Sequence, residues 1–179
     1  REHPAMSRIN AFRSAVETTF KAALPTLKSC ELQLGRFDLD ELERNSIRTP
    51  GLRIGVLRAP VQSNADGSYD LPLECAAFAI VQGPEPARDN DAWAMAEAVL
   101  AILSPRQRFG LDNIGTPSKL RIAPVLSGKM DRRGVSVVAV EWTQVLRNAT
   151  AGVFANSPTI DLIFEVNGEA FDPEAGAAP

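Results

Sequence analysis

Residues 91–103, DAWAMAEAVLAIL, are followed by KLRIAPVL at 119–126 and GVSVVAVEWTQVL at 134–146. These three strings decide the fold class. In the first, Trp93, Ala96, Val99, Leu100 and Leu103 recur at three- and four-residue steps, the buried stripe of an amphipathic helix. The alanines at 92, 94, 96, 98 and 101 let that helix lie close on a sheet, and Pro105 closes it. The third string switches to period two: Val138, Val140, Trp142 and Leu146 share one face while Glu141 and Thr143 oppose them. Pro124 in the second string marks an edge strand or a bulge. A helix followed by a hairpin that turns at 127–134 predicts an α+β subunit, with Trp93 and Trp142 packing together in its core.

Working outward, residues 7–24 read as a helix. Ile9, Phe12, Val16, Phe20 and Ala23 form its apolar stripe, Ser7 is placed to cap it, and Pro25 stops it. Cys30, Leu32 and Leu34 then alternate on one face of a strand that ends at Gly35. Asp38 and Glu41 have capping-box spacing, so a short helix is predicted through about Ser46, with Asp38, Asp40, Glu41 and Glu43 as its solvated first turn rather than a metal cluster. Residues 51–82 read as an antiparallel hairpin with a long polar tip. Leu52, Ile54 and Val56 line one face of its first strand, opposite Arg53. Leu71, Leu73, Cys75, Ala77, Ala79 and Val81 line one face of its second strand. Phe78 and Ile80 make the far end of that strand apolar on both faces, the mark of a central strand. Asp89 or Asn90 is placed to cap the second helix.

A chain of 179 residues with 45% apolar and 23% charged side chains suits a single domain with a real core. The fold class is therefore α+β: a mixed, mostly antiparallel sheet with two main helices on one face. Residues 1–6 read as a leader or expression remnant, residues 7–147 as the folded domain, and residues 148–179 as an acidic extension. That extension carries one strand at 159–166 and a loose tail from Pro173. No run is long enough to span a bilayer.

Charge is unevenly spread. Residues 1–103 carry a net −3, residues 104–147 a net +5, and residues 148–179 a net −5 with no basic residue. An acidic tail that meets the basic middle of the chain, or of a neighbour, fits this partition. Lys129, Arg132 and Arg133 at the second hairpin turn are the best contact candidates, with Arg106, Arg108, Lys119 and Arg121 expected nearby. The acidic balance (pI ≈ 5.3) and the lack of aromatics among those cations argue against sequence-specific nucleic-acid binding.

Covalent chemistry finds little to use. The single histidine, His3, lies outside the domain, so no Ser-His-Asp or Cys-His arrangement is available. Cys30 and Cys75 are expected as free buried thiols, and with one histidine they build no zinc site. Asp89 and Asp91 straddle a helix start, where capping explains them better than acid–base work. No glycine-rich phosphate loop is present, and neither an enzyme nor a cofactor is expected.

The element order, with LRIGV at 52–56, VAVEWTQ at 138–144 and the Ala92-Trp93 helix opening, resembles the tail-terminator proteins of long-tailed bacteriophages, in particular those of Mu-like phages. The resemblance spans about residues 7–147. It implies a structural virion protein, assembled in the host cytoplasm and placed at the neck of the tail. Copies close into a ring, hexameric in that family, that caps the tail tube and joins it to the head-side connector. The resemblance also implies a ring open to the passage of DNA, with no cofactor used and no membrane involved. No motif residue transfers to a single position, and the strand after Asn148 departs from the minimal fold. On this reading the basic tip (Lys129, Arg132, Arg133) and the C-terminal strand (Ile160, Leu162, Phe164) are the interface candidates. The competing classes are another neck, head–tail connector or tube-like component, a monomeric binding module, and an enzyme that uses carboxylates alone.

Overall fold

The computed structural model describes residues 7–35, 47–125 and 132–149, together with the backbone of two short strands at 164–166 and 169–171. The leader, the short helix expected after Asp38, Lys129, Ile160, Leu162 and the final tail lie outside the described residues.

Helix α1 (Arg8–Ala23) buries Phe12, Val16 and Phe20, spaced four residues apart on one stripe. Ser7 sits at its N-cap, where its carbonyl accepts the Ala11 N–H at 2.8 Å while its hydroxyl makes no capping bond. Leu24 closes the helix just before Pro25. Strand β1 (Ser29–Leu34) follows and pairs in parallel with β2 (Gly51–Arg58). From β2 the chain runs through a two-residue β3 (Gln62–Ser63) and returns along the long β4 (Tyr69–Gln82), antiparallel to both. This is the hairpin read from residues 51–82. Helix α2 (Ala87–Ile102) leads to a second hairpin, β5 (Ser118–Pro124) and β6 (Val135–Leu146), and β6 pairs with β4 over its whole length. The strand order is β1-β2-β4-β6-β5, a mixed and mostly antiparallel sheet. A separate two-stranded unit joins β7 (Phe164–Val166) to β8 (Glu169–Phe171).

Both helices cover the same face. Leu73, Cys75, Ala77, Ala79 and Val81 of β4 and Val138, Val140, Trp142 and Leu146 of β6 face them. Phe20 meets Trp142 edge-on with centroids 6.3 Å apart, and Phe109 stands edge-on to Phe12 at 5.8 Å. Burying each such ring is worth about 1.5–3 kcal/mol, and edge-on pairs add about 0.5–1.5 kcal/mol. Among these rings, Gln144 is fully buried. Its amide donates to the carbonyls of Gln107 and Gly115, both at 2.9 Å, and its oxygen accepts the Trp142 indole N–H at 3.2 Å. One side chain thereby ties the 103–117 loop to β6 with its polar atoms satisfied.

On the opposite face, Ala76, Phe78 and Ile80 of β4 join Val135, Val137 and Ala139 of β6 in a second buried cluster. Nearer the β1 edge that face turns polar: Arg53, buried, pairs with Glu31 at 3.1 Å beside Ser29. Gly51 and Gly55 flank Arg53 for a steric reason. A Cβ at Gly55 would lie 2.7 Å from the Gly35 carbonyl oxygen, and one at Gly51 would lie 2.8 Å from that of Arg48. The connection from β1 to β2 thus leaves and returns against this face.

Four expectations are corrected. Trp93 is 41% exposed instead of packing on Trp142, because the buried stripe of α2 runs through Arg88, Ala92, Ala96 and Val99. Helix α2 starts earlier than expected, at Ala87 with Pro86 as N-cap, so neither Asp89 nor Asn90 caps it. Leu34 is 92% exposed at the end of β1, although Cys30 and Leu32 of the same alternation do pack on the core. Finally, Phe164 opens a strand that pairs with β8 (Glu169–Phe171), a second strand where the extension had been read with one. Cys30 and Cys75 are free and buried, as expected, and Pro124 does lie in the edge strand β5.

Candidate functional site

The two ends of the sheet carry different side chains, because β2, β4 and β6 all run between them. At one end stand the start of β2, the end of β4 and the start of β6, where the Gly83 N–H donates to the Gly134 carbonyl at 3.0 Å. Arg132 and Arg133 sit there, both exposed. Beside them Arg88 is buried; its guanidinium reaches Ser136 Oγ at 3.2 Å and the Asp89 carboxylate at 3.5 Å, and it closes on Glu85. Ser136 in turn donates to Asp89. Asp89 is therefore engaged in an ion-pair network with Arg88, while Asp91 faces a groove.

That groove, of about 470 Å³, runs between the α1–β1 turn and α2. Its walls are mainly apolar: Leu24 and Leu27 from the turn, Pro50 and Val81 from the strand ends, Met95 and Ala98 from α2. Lys28 and Asp91 are its charged lining residues. Lys28 and Asp91 offset each other on the lining, and Arg132 and Arg133 stand exposed at the same end of the sheet.

At the other end the β2–β4 hairpin projects. Its tip exposes Val61 (64%) and Tyr69 (40%), two large apolar side chains in an otherwise polar turn. Asp66 is fully exposed, and hydrogen bonds from the Ser68 hydroxyl and N–H hold its carboxyl below the usual range. Asp70 accepts the Asn148 N–H at 2.9 Å, and the Ala149 N–H donates to the Tyr69 carbonyl at 2.8 Å. Arg8 donates to the carbonyls of Arg147 and Asn148 here, so cations stand beside Asp70 at this end.

Placement corrects one expectation about the basic residues. Arg121 pairs with Glu141 at 2.5 Å, and Ser118 is in register with Thr143, so Lys119 lies toward the end of the β5–β6 hairpin opposite its turn. Arg106 and Arg108 sit in the loop that Gln144 anchors, and Ile114 of that same loop bridges to Leu146 at the same distal end. None of these four joins Arg132 and Arg133. The reading of residue types missed the groove and the apolar tip. Val61 beside Pro60 in a polar turn was a signal for the tip; the groove, assembled from four separate segments, had none.

Among the described residues no three His, Cys, Asp or Glu side chains gather as metal ligands, and no helix is long and apolar enough to cross a membrane. Burial pushes the Cys30 thiol up to about 11 and the Cys75 thiol further still. Both are poor nucleophiles as a result. Comparison with models of known families finds none that matches this chain, and comparison with curated proteins likewise finds no match.

Proposed function

We propose that this chain is a structural subunit of the tail-terminator kind, closing with copies of itself into a ring that caps a phage tail tube and meets the head-side connector. The observation that carries the reading is the polarity of the sheet. A hairpin tip with exposed Val61, Tyr69 and Asp66 stands at one end, and an apolar-walled groove, with Arg132 and Arg133 at the same end of the sheet, stands at the other. Rings are built from heterologous contacts, in which two unlike surfaces of each subunit meet. An α+β sheet with both helices on one face leaves its ends and edges for such contacts.

Light scattering and negative-stain microscopy on the purified chain, alone and mixed with tail tubes, test this. The expected outcome is six-fold rings, of six copies of 19.3 kDa, free or on tube ends. A monomer under both conditions overturns the proposal. Reversing Arg132 and Arg133 to Glu should impair ring formation while leaving the melting temperature unchanged; a simple loss of fold would count against a contact role. We assign the extension beyond Ala149, with Phe164 in β7, to a subunit boundary. Truncation after Ala149 keeps the bond to Tyr69 and should weaken the ring, and an intact ring would refute that assignment.

A further inference from the structure

We infer that the acidic extension, residues 150–179, folds back in the free chain over the end of the sheet it departs from, against Arg8, Arg147 and the 104–119 loop. The contact is made before any subunit boundary forms and does not rest on the ring reading. That end is a fixed platform. Gln144 holds the loop by the carbonyls of Gln107 and Gly115, and the Arg147 N–H donates to the Asn113 carbonyl at 2.8 Å. Phe109 anchors the same loop edge-on against Phe12 and Phe20. Every non-glycine residue with a positive φ among the described ones, Phe109, Asn113, Lys119 and Asn148, lies here. Such backbone persists only where its surroundings over-determine it, and it gathers at binding surfaces.

The platform carries more cations than acids. Arg8, Arg106, Arg108, Lys119 and Arg147 make no ion pair among the described residues, and Arg8 directs its donors to the carbonyls of Arg147 and Asn148. The acids are Asp70, which accepts the Asn148 N–H, Asp112 in the loop, and Asp66 out on the hairpin tip. Glu74 and Glu141 are taken by Arg58 and Arg121. An excess of fixed cations favours an anionic partner. The extension supplies one, since residues 148–179 carry a net −5 with no basic residue. It also starts in the right place, because the Ala149 N–H bonds the Tyr69 carbonyl at this same end. Residues 150–163 give β7 a tether of up to ~3.3 Å per residue, long enough to return. A tether holds its cargo at an effective concentration on the order of 1 mM, which favours a chain's own extension over a second copy in dilute solution. The extension in turn needs a surface: among the described residues β7 pairs with β8 alone, and a two-stranded hairpin by itself is marginal in water. Covered in this way, the basic end is closed to other polyanions; uncovered, it holds nucleic-acid phosphates without sequence preference.

The test places a nitroxide label at Ala175→Cys in the otherwise intact chain, where Cys30 and Cys75 are buried and stay unlabelled. In dilute solution the label should broaden the amide signals of Arg108, Asn113 and Arg147, and spare those of Gly83 and Ser136 at the far end of the sheet. The broadening should vanish in about 1 M salt, where the screening length falls to ~3 Å, and on changing Arg106→Glu together with Arg108→Glu. Neutralising the extension (Asp161→Asn, Glu165→Gln, Glu169→Gln, Asp172→Asn and Glu174→Gln) should raise the affinity for a short DNA duplex at least tenfold. Adding the two arginine changes should abolish that gain. Broadening at neither end, or at both alike, overturns the contact whether or not rings form, and an unchanged DNA affinity overturns the shielding. Broadening seen only between a labelled chain and an unlabelled, isotope-enriched one assigns the extension to a neighbour and also overturns it. Absence of rings with the broadening intact removes the ring reading alone.

Discussion

On the helix-covered face of the sheet, large rings interlock: Phe12 and Phe20 of α1, Phe109 of the following loop and Trp142 of β6. On the opposite face the same strands present Gly51, Arg53 and Gly55, then Ala76, Phe78 and Ile80. The first face is closed by side chains filling space. Along β2 the second is closed by backbone, since carbonyl oxygens of Gly35 and Arg48 stand where side chains would otherwise be. The difference teaches what each face tolerates. A face packed with rings is harmed by removing atoms, and a face crossed by the main chain is harmed by adding them.

Phe20→Ala should break the first half of that comparison most severely. Its ring is fully buried and meets both Phe109 and Trp142, so a loss of about 3–5 kcal/mol is expected in urea or thermal unfolding. Gly51→Ala tests the second half. A methyl there would lie 2.5 Å from Ser29 Oγ and 2.8 Å from the Arg48 carbonyl oxygen, and overpacking of this kind costs about 1–3 kcal/mol. Equal stability of this variant and the parent would show that the crossing chain yields freely.

The pH dependence sharpens the contrast on the helix side. Burial raises the Cys30 thiol from its ordinary 9.0 to about 11, so the folded chain keeps a proton that the unfolded chain releases. Stability is unaffected below pH 9 and falls as pH rises from about 9 toward about 11, with Cys75 adding in the same direction. Denaturation midpoints across that window should decline, and Cys30→Ala should flatten the decline. Trp93→Ser should matter least. The side chain is exposed, and a change within about 0.5 kcal/mol is expected. A drop as large as that of Phe20→Ala would mean that Trp93 packs in the core after all.

Much of this fold was legible because period-two alternation is unambiguous when one face is buried. The rows through Leu73, Cys75 and Ala77 and through Val138, Val140 and Trp142 lie where the alternation put them. Helix α2 was less legible for the opposite reason. Nearly every position from Ala92 to Leu103 is apolar, so periodicity alone cannot choose which side faces inward. Close approach to the sheet settles it in favour of Ala92, Ala96 and Val99, and the bulky Trp93 turns outward. Arg88 was missed because a buried arginine needs partners, and Ser136 is supplied by a strand 48 residues away. The candidate contact surface was half legible: Arg132 and Arg133 follow from composition, whereas the groove exists only once the α1–β1 turn, two strand ends and α2 have met.

The β5 edge has a consequence for aggregation. A strand margin with unpaired peptide groups invites any other extended chain to add itself, which is how fibrils begin. Along β5 the register with β6 shifts between Ser118 and Arg121, Lys119 adopts a positive φ of 50°, and Pro124 withholds an N–H at the far end. These irregularities blunt that margin as a template. A chain whose margin is broken in this way is a poor seed for the runaway stacking that bare strands undergo at high concentration.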